Sequence, residues 1–148
     1  MPTATRLLVV DDDDEARAVA ERFLTGAGHD VVALSRAEEV LARLRKDAAW
    51  YALVTDKDMP GLTGLELARL AHEIAPALAV VVMTGHAERL PADSAPHIDA
   101  YVAKPFRTPQ ELPEAVRHAR EVRDGKVRRE EAQRTLEGLK RQLTPSKS

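Results

Sequence analysis

A chain of 148 residues with 44% hydrophobic and 31% charged side chains is the size of one domain and apolar enough to bury a core. It has no cysteine, which excludes disulfides, thiolate catalysis and cysteine-bound metals, and no apolar run approaches the roughly 20 residues that span a bilayer. The net charge of −2 divides unevenly: residues 117–148 carry ten Lys/Arg against five Asp/Glu, and the residues before them twelve against 19. A basic tail raises the question of an acidic partner. With aromatic residues at 3% overall and none in the tail, a nucleic-acid partner is not expected, and a solvated helix face is the plainer reading. The N-terminal MPTATR has no signal-peptide apolar core, so the expected compartment is the cytoplasm, with no membrane partner.

RLLVV (6–10) predicts a short strand buried on both faces. Ala16, Val19, Ala20, Phe23 and Leu24 then follow helical spacing, with Gly26 and Gly28 as candidate stops. VVAL (31–34) predicts a second strand, and Ser35 a cap for a helix that buries Ala37, Val40, Leu41 and Leu44. YALVT (51–55) is a third strand, and Leu65, Ala68, Ala71 and Ile74 mark a third helix stopped near Pro76. LAVVVM (78–83) and AYVA (100–103) are the fourth and fifth strands, and Leu112, Ala115, Val116 and Ala119 mark a last helix. Apolar strands alternating with helices imply a parallel sheet covered on both faces.

In such sheets the functional crevice lies outside the carboxyl ends of the strands. Just past those ends stand Asp11 and Asp12, Asp56, Thr84 and Lys104. Carboxylates this close raise one another's pKa unless a cation neutralises them, and Mg2+ does so through hard oxygen ligands. The run DDDD (11–14) therefore divides: Asp11 and Asp12 join Asp56 at a metal, while Asp13 and Asp14 start the following helix. The alternative is a solvated acidic turn, which the Asp, Thr and Lys at the other strand ends argue against.

VVDD (9–12), TDKDMPG (55–61), MTGH (83–86) and YVAKPF (101–106), in this order, resemble the receiver domain of bacterial two-component response regulators, from about Arg6 to Val122. The resemblance implies a flavodoxin-like, doubly wound α/β fold with a five-stranded parallel sheet of order 2-1-3-4-5 and helices on both faces. It divides the chain into a receiver domain (1–122) and a basic, partly amphipathic helical tail or linker (123–148). It implies that Asp56 accepts a phosphoryl group from a phosphohistidine of a histidine kinase or phosphotransfer protein. Asp12 and Asp56 would ligate Mg2+ directly, Asp11 through water and Asp58 through its backbone carbonyl. Lys104 would pair with the phosphoryl oxygens, Thr84 would donate its hydroxyl to them, and Tyr101 would turn inward as Thr84 moves. The Lys104–Pro105 bond would be cis. Such a protein is a phosphoacceptor that dephosphorylates itself, not an enzyme turning over an external substrate. Phosphoryl transfer asks for positioning and charge neutralisation, which these residue types supply. Gly85 would leave room beside Thr84, and His86 with the Asp58 side chain would tune the access of water.

Two features depart from the family pattern. In GHAERLPADSAPHIDA (85–100), Pro91 and Pro96 interrupt the helix expected before the fifth strand, and His97–Ile98–Asp99–Ala100 replace the usual small-residue pair. The signalling and dimer face is therefore expected to be reshaped. Pro113 is compatible with the last helix only in its first turn. In the tail, Ala132, Leu136, Leu139 and Leu143 follow coiled-coil spacing, but Gly125 and Arg129 break the seam upstream. The tail is expected to extend the last helix, to fold as a separate helix, or to link to an effector the chain has no room for. A homodimer through the C-terminal helices is a further expectation. His29, His72, His97 and His118 show no ligand spacing and are assigned no metal, and Trp50 is the intrinsic fluorescence probe. Two other readings stand beside this one. A receiver-like interaction module would signal without phosphorylation. An aspartyl phosphatase would use Asp56-Lys57-Asp58 as a D-x-D motif, but such enzymes place D-x-D first and the acidic pair late.

Overall fold

The computed structural model describes residues 5–85 and 96–143. RLLVV forms β1 (Arg6–Val10), in which Leu7, Leu8, Val9 and Val10 are all fully buried. Successive side chains on a strand point to opposite faces, so a strand apolar at every position needs cover on both. The chain supplies it by alternation: α1 (Asp14–Gly26), β2 (Asp30–Leu34), α2 (Ala37–Lys46), β3 (Ala52–Asp56), α3 (Gly64–Ile74), β4 (Ala79–Thr84), β5 (Ala100–Ala103) and α4 (Glu111–Leu143). The five strands form one sheet of order β2-β1-β3-β4-β5, each adjacent pair parallel, which is the expected doubly wound architecture. Leu7, Val9, Val54, Val81 and Met83 pack with Ala20 and Leu24 of α1 and with Leu112 and Val116 of α4. Leu8, Val10 and Leu53 pack on the other side with Val40 and Leu44 of α2 and Leu67 of α3.

The helix boundaries follow local chemistry. Asp13 caps α1 by accepting from the Glu15 N–H at 3.1 Å, and Asp14 opens its first turn. Gly28, at φ +96°, is the stop, and Gly26 is still helical. Thr63 and Glu66 close a reciprocal capping box at α3. Pro113 is the third residue of α4, where no intrahelical N–H is required. Three expectations need correction. The N-cap of α2 is Arg36, without a side-chain cap, rather than Ser35. β3 and β4 each sit one residue later than expected, since parallel pairing rather than composition sets their ends. The inward stripe of α3 is Leu67, Ala68, Ala71 and His72, with Leu65 and Ile74 only at its margins. The helix interrupted by Pro91, and His86 itself, fall outside the described residues, and Pro96 stands in a turn before β5.

α4 is one helix of 33 residues that passes residues 122–123 without a break, so of the three expectations for the tail, extension of the last helix is what the structure has. Leu112, Val116, Ala119 and Arg123 are buried, whereas residues from Arg128 onward are exposed almost throughout. Leu136, Leu139 and Leu143 are 52%, 49% and 80% exposed, leaving an apolar stripe uncovered. Cations hold the middle of α4 against the amino-terminal edge of the sheet. Arg120 donates to the carbonyls of Tyr51 (2.7 Å) and Ala77 (2.6 Å), and Arg123 and Lys126 reach Asp99.

Candidate functional site: an acidic cluster at the carboxyl edge of the sheet

The parallel register aligns Val10 with Thr55, Asp56 with Met83 and Thr84 with Ala103, so the residues that end β1, β3, β4 and β5 share one edge. There the structure brings Asp11, Asp12 and Asp56 together, one carboxylate oxygen of each lying within 4.8 Å of the others. Asp11 is fully buried, Asp56 is 8% exposed and Asp12 faces solvent. Lys104 bridges the two buried acids, its Nζ 2.8 Å from Asp56 Oδ1 and 3.0 Å from Asp11 Oδ2.

The backbone fixes these groups in place. The Asp13 N–H donates to Asp11 Oδ1 at 2.9 Å, and Arg17 of α1 donates to the Asp11 carbonyl at 2.8 Å while pairing with Asp14 at 2.6 Å. Behind Asp56, α3 approaches so closely that a Cβ on Gly64 would lie 2.2 Å from the Asp56 carbonyl oxygen. Glycine is required there by contact rather than by φ. The Gly64 N–H donates to the Lys57 carbonyl at 2.8 Å, and the Lys104 N–H to the Thr84 carbonyl at 2.8 Å. The Lys104–Pro105 peptide is cis, as the family resemblance implies.

Burial pushes the Asp56 carboxyl above the usual aspartate range; its hydrogen bond from Lys104 opposes this, and the charges of Asp11 and Asp12 add to it. Burial also opposes the charge on Lys104, but its bonds to Asp56 and Asp11 outweigh it and hold the ammonium above its ordinary value. Two partly desolvated acids beside an exposed third form a hard-oxygen donor set of the kind Mg2+ takes while keeping several waters. With a buried carboxylate and a lysine ammonium beside it, the arrangement suits acceptance of a dianionic phosphoryl group.

Thr84 ends β4 on the same edge, half-buried and beside Ala103 of β5. Asp58 is exposed and its carboxylate is not part of the cluster. Tyr101 points outward from β5, 42% exposed, between the buried Ala100 and Val102. A Cβ on Gly85 would meet nothing within 4 Å, so the fold itself does not demand glycine there. Trp50 lies before the amino end of β3, under the Arg6 guanidinium at 4.4 Å. At about 3.3 Å per residue the length of β3 alone puts about 13 Å between it and Asp56, which makes it a poor probe of the site.

Some residues that matter gave no readable signal in the sequence. Gly64 and Arg17 brace the cluster from outside the motifs. His72 is buried, donating from Nε2 to the Leu78 carbonyl at 2.8 Å and accepting at Nδ1 from His97 at 2.9 Å. These two histidines meet across 25 residues of chain, which spacing does not reveal, and among the described residues no third metal ligand joins them.

A buried carboxylate in a salt bridge with a strand-end lysine, flanked by two further acids at the carboxyl edge of a 2-1-3-4-5 parallel sheet, defines the class: a receiver-type phosphoacceptor fold. The chain belongs to the response regulator receiver domain family, whose model matches residues 7–117. It is 33% identical over 145 residues to the C4-dicarboxylate transport transcriptional regulatory protein DctD of Rhizobium meliloti, covering 94% of this chain and 31% of that protein. It is 40% identical over 100 residues to the DNA-binding transcriptional regulator NtrC of Salmonella typhimurium, covering 66% of this chain and 21% of that one. The chain thus spans a third or less of the length of these relatives. Among solved structures, a response regulator receiver protein from Sinorhizobium medicae superimposes with a TM-score of 0.68 at 31% identity, covering 81% of this chain and 97% of that one.

Proposed function

We propose that Asp56 is the phosphoacceptor of this receiver. The observation that carries the reading is the Asp56–Lys104 ion pair at 2.8 Å with the Asp11 and Asp12 oxygens beside it. A carboxylate oxygen of Asp56 attacks the phosphorus of a phosphohistidine on a histidine kinase or phosphotransfer protein. The P–N bond breaks, its electron pair returns to the imidazole nitrogen, and Asp56 becomes an acyl phosphate. Asp11, Asp12 and Asp56, with the Asp58 carbonyl, would hold Mg2+, which when bound would neutralise charge on the transferring group. Lys104 exchanges its contact with Asp56 for a phosphoryl oxygen, Thr84 donates its hydroxyl to another, and Tyr101 turns inward. Attack of water on the acyl phosphate resets the switch, so the protein acts as a self-resetting acceptor in the cytoplasm rather than as an enzyme on an external substrate. The groove beside Lys104, lined by Asp13, Ala16, Val19, Phe23, Pro105 and Phe106, supports approach of the kinase side chain over α1. The exposed Leu136, Leu139 and Leu143 support a homodimer through α4.

The reading is tested by intact mass after incubation with Mg2+ and acetyl phosphate. Wild type gains one phosphoryl group, Asp56→Asn gains none, and Lys104→Ala gains one without the accompanying conformational change. Absence of any adduct on the wild type would favour the phosphorylation-independent module. Rapid release of phosphate from small phosphoesters with turnover would favour the D-x-D phosphatase.

A further inference from the structure

Asp99 precedes β5 and is buried, with its carboxylate fully enclosed. Its Oδ2 accepts from the Val80 N–H of β4 at 2.9 Å and from Arg123 Nε at 3.1 Å, and its Oδ1 from Lys126 Nζ at 3.0 Å. The same two cations extend to the backbone beside it: Arg123 donates to the Pro96 carbonyl at 2.9 Å and Lys126 to the Ile98 carbonyl at 3.0 Å. Both cations lie beyond residue 117, where the match to the family ends. The acid inside the receiver and the bases in the helical extension therefore form one hydrogen-bonded unit.

The placement of Asp99 gives that unit a role. β5 has four residues, Ala100–Ala103. Lys104, bound to Asp56 and Asp11, follows one end, and Asp99 precedes the other. An extended strand is stiff, and this one spans about 16 Å from Asp99 to Lys104. β5, paired in register with β4, thus joins the residue bound to Asp56 to the residue that holds α4. At its far end the strand is bonded to α4 through the buried Asp99–Arg123 pair and the partly exposed Lys126, and breaking the buried pair strands a charge.

We infer that Asp99, Arg123 and Lys126 form a latch that makes α4 a rigid lever, moved through β5 when Asp56 is modified, so that output leaves at the end of the molecule opposite the acidic cluster. This inference rests on the phosphoacceptor reading above. The absence of cysteine allows spin labels to be placed without background, at Arg43→Cys in α2 and Arg134→Cys in the exposed part of α4, in the full chain. With Mg2+ and beryllofluoride, wild type is expected to give a narrow distance distribution whose maximum shifts. Asp99→Ala is expected to broaden the distribution at least twofold and abolish the shift, while still acquiring a phosphoryl group from acetyl phosphate by mass. Asp99→Asn, which keeps an acceptor for Val80, is the milder variant read by the same criterion should Asp99→Ala fail to fold, and is expected to lose at least half of the shift. A narrow, fully shifting distribution in the folded variant overturns the latch. So does a wild-type distance that does not shift although Asp56 is modified. A wild type that takes up no phosphoryl group at all overturns the phosphoacceptor reading instead.

Discussion

Asp11, Asp12, Asp56 and Lys104 were legible in the sequence because they stand at or just past the ends of apolar runs, and a parallel sheet gathers such positions on one edge. Gly64 was not, since nothing in TDKDMPGLTG distinguishes a glycine under contact from one in a turn. Its Cβ clearance of 2.2 Å to the Asp56 carbonyl predicts that Gly64→Ala destabilises the fold by about 1–3 kcal/mol and slows labelling of Asp56 by displacing its backbone. Thermal unfolding and the rate of adduct formation measure the two effects, and a variant as stable and as reactive as wild type would refute the contact. His72 was equally hidden, its partners lying on Leu78 and His97. Burial first, then the Arg123 charge, lowers its pKa to about 4. The unfolded chain takes a proton on His72 near pH 6.5, while the folded chain resists it until about pH 4. Stability is therefore lost as pH falls through that window, by about 2 kcal/mol between pH 7.5 and 5 from this group. Urea unfolding at both pH values should show this loss in wild type and a correspondingly smaller one in His72→Gln, which retains a donor for Leu78. Equal losses would assign the pH dependence to other groups.

At the scale of elements, periodicity identified every described strand and helix, and the errors were at their ends. Ser35 is a good capping residue one position too early, and α3 turns His72 inward where composition alone favours Leu65 and Ile74. The tail stayed open because its heptad spacing fails at Gly125 and Arg129. What carries the helix across that region is tertiary: Arg120, Arg123 and Lys126 are bonded to the body of the fold. The uncovered leucines predict that Leu136→Lys with Leu139→Lys leaves unfolding of the monomer within about 0.5 kcal/mol of wild type. Sedimentation velocity of the same variant should show a dimer lost if α4 joins two copies. An unchanged sedimentation coefficient alongside a wild-type dimer would place the interface elsewhere.

The whole molecule is a sheet buried on both faces, and this was readable from β1 alone, apolar at every position after Arg6. The strand order came from the resemblance rather than from composition, because periodicity does not say which strands are neighbours. The ion pairs at Asp99 were unreadable for a related reason: Arg123 and Lys126 look like solvated helix charges until the fold brings them over β5. Removing one member of such a buried pair typically costs about 3–5 kcal/mol, so Arg123→Ala should lower the urea midpoint far more than Arg128→Ala, an exposed neighbour on the same helix.

The most direct measurement is intact-mass analysis of the wild type and Asp56→Asn after incubation with Mg2+ and acetyl phosphate. A single phosphoryl adduct on the wild type, not formed when Mg2+ is omitted and absent from the variant, is the predicted result. The same adduct, in the same amount, on Asp56→Asn would contradict it.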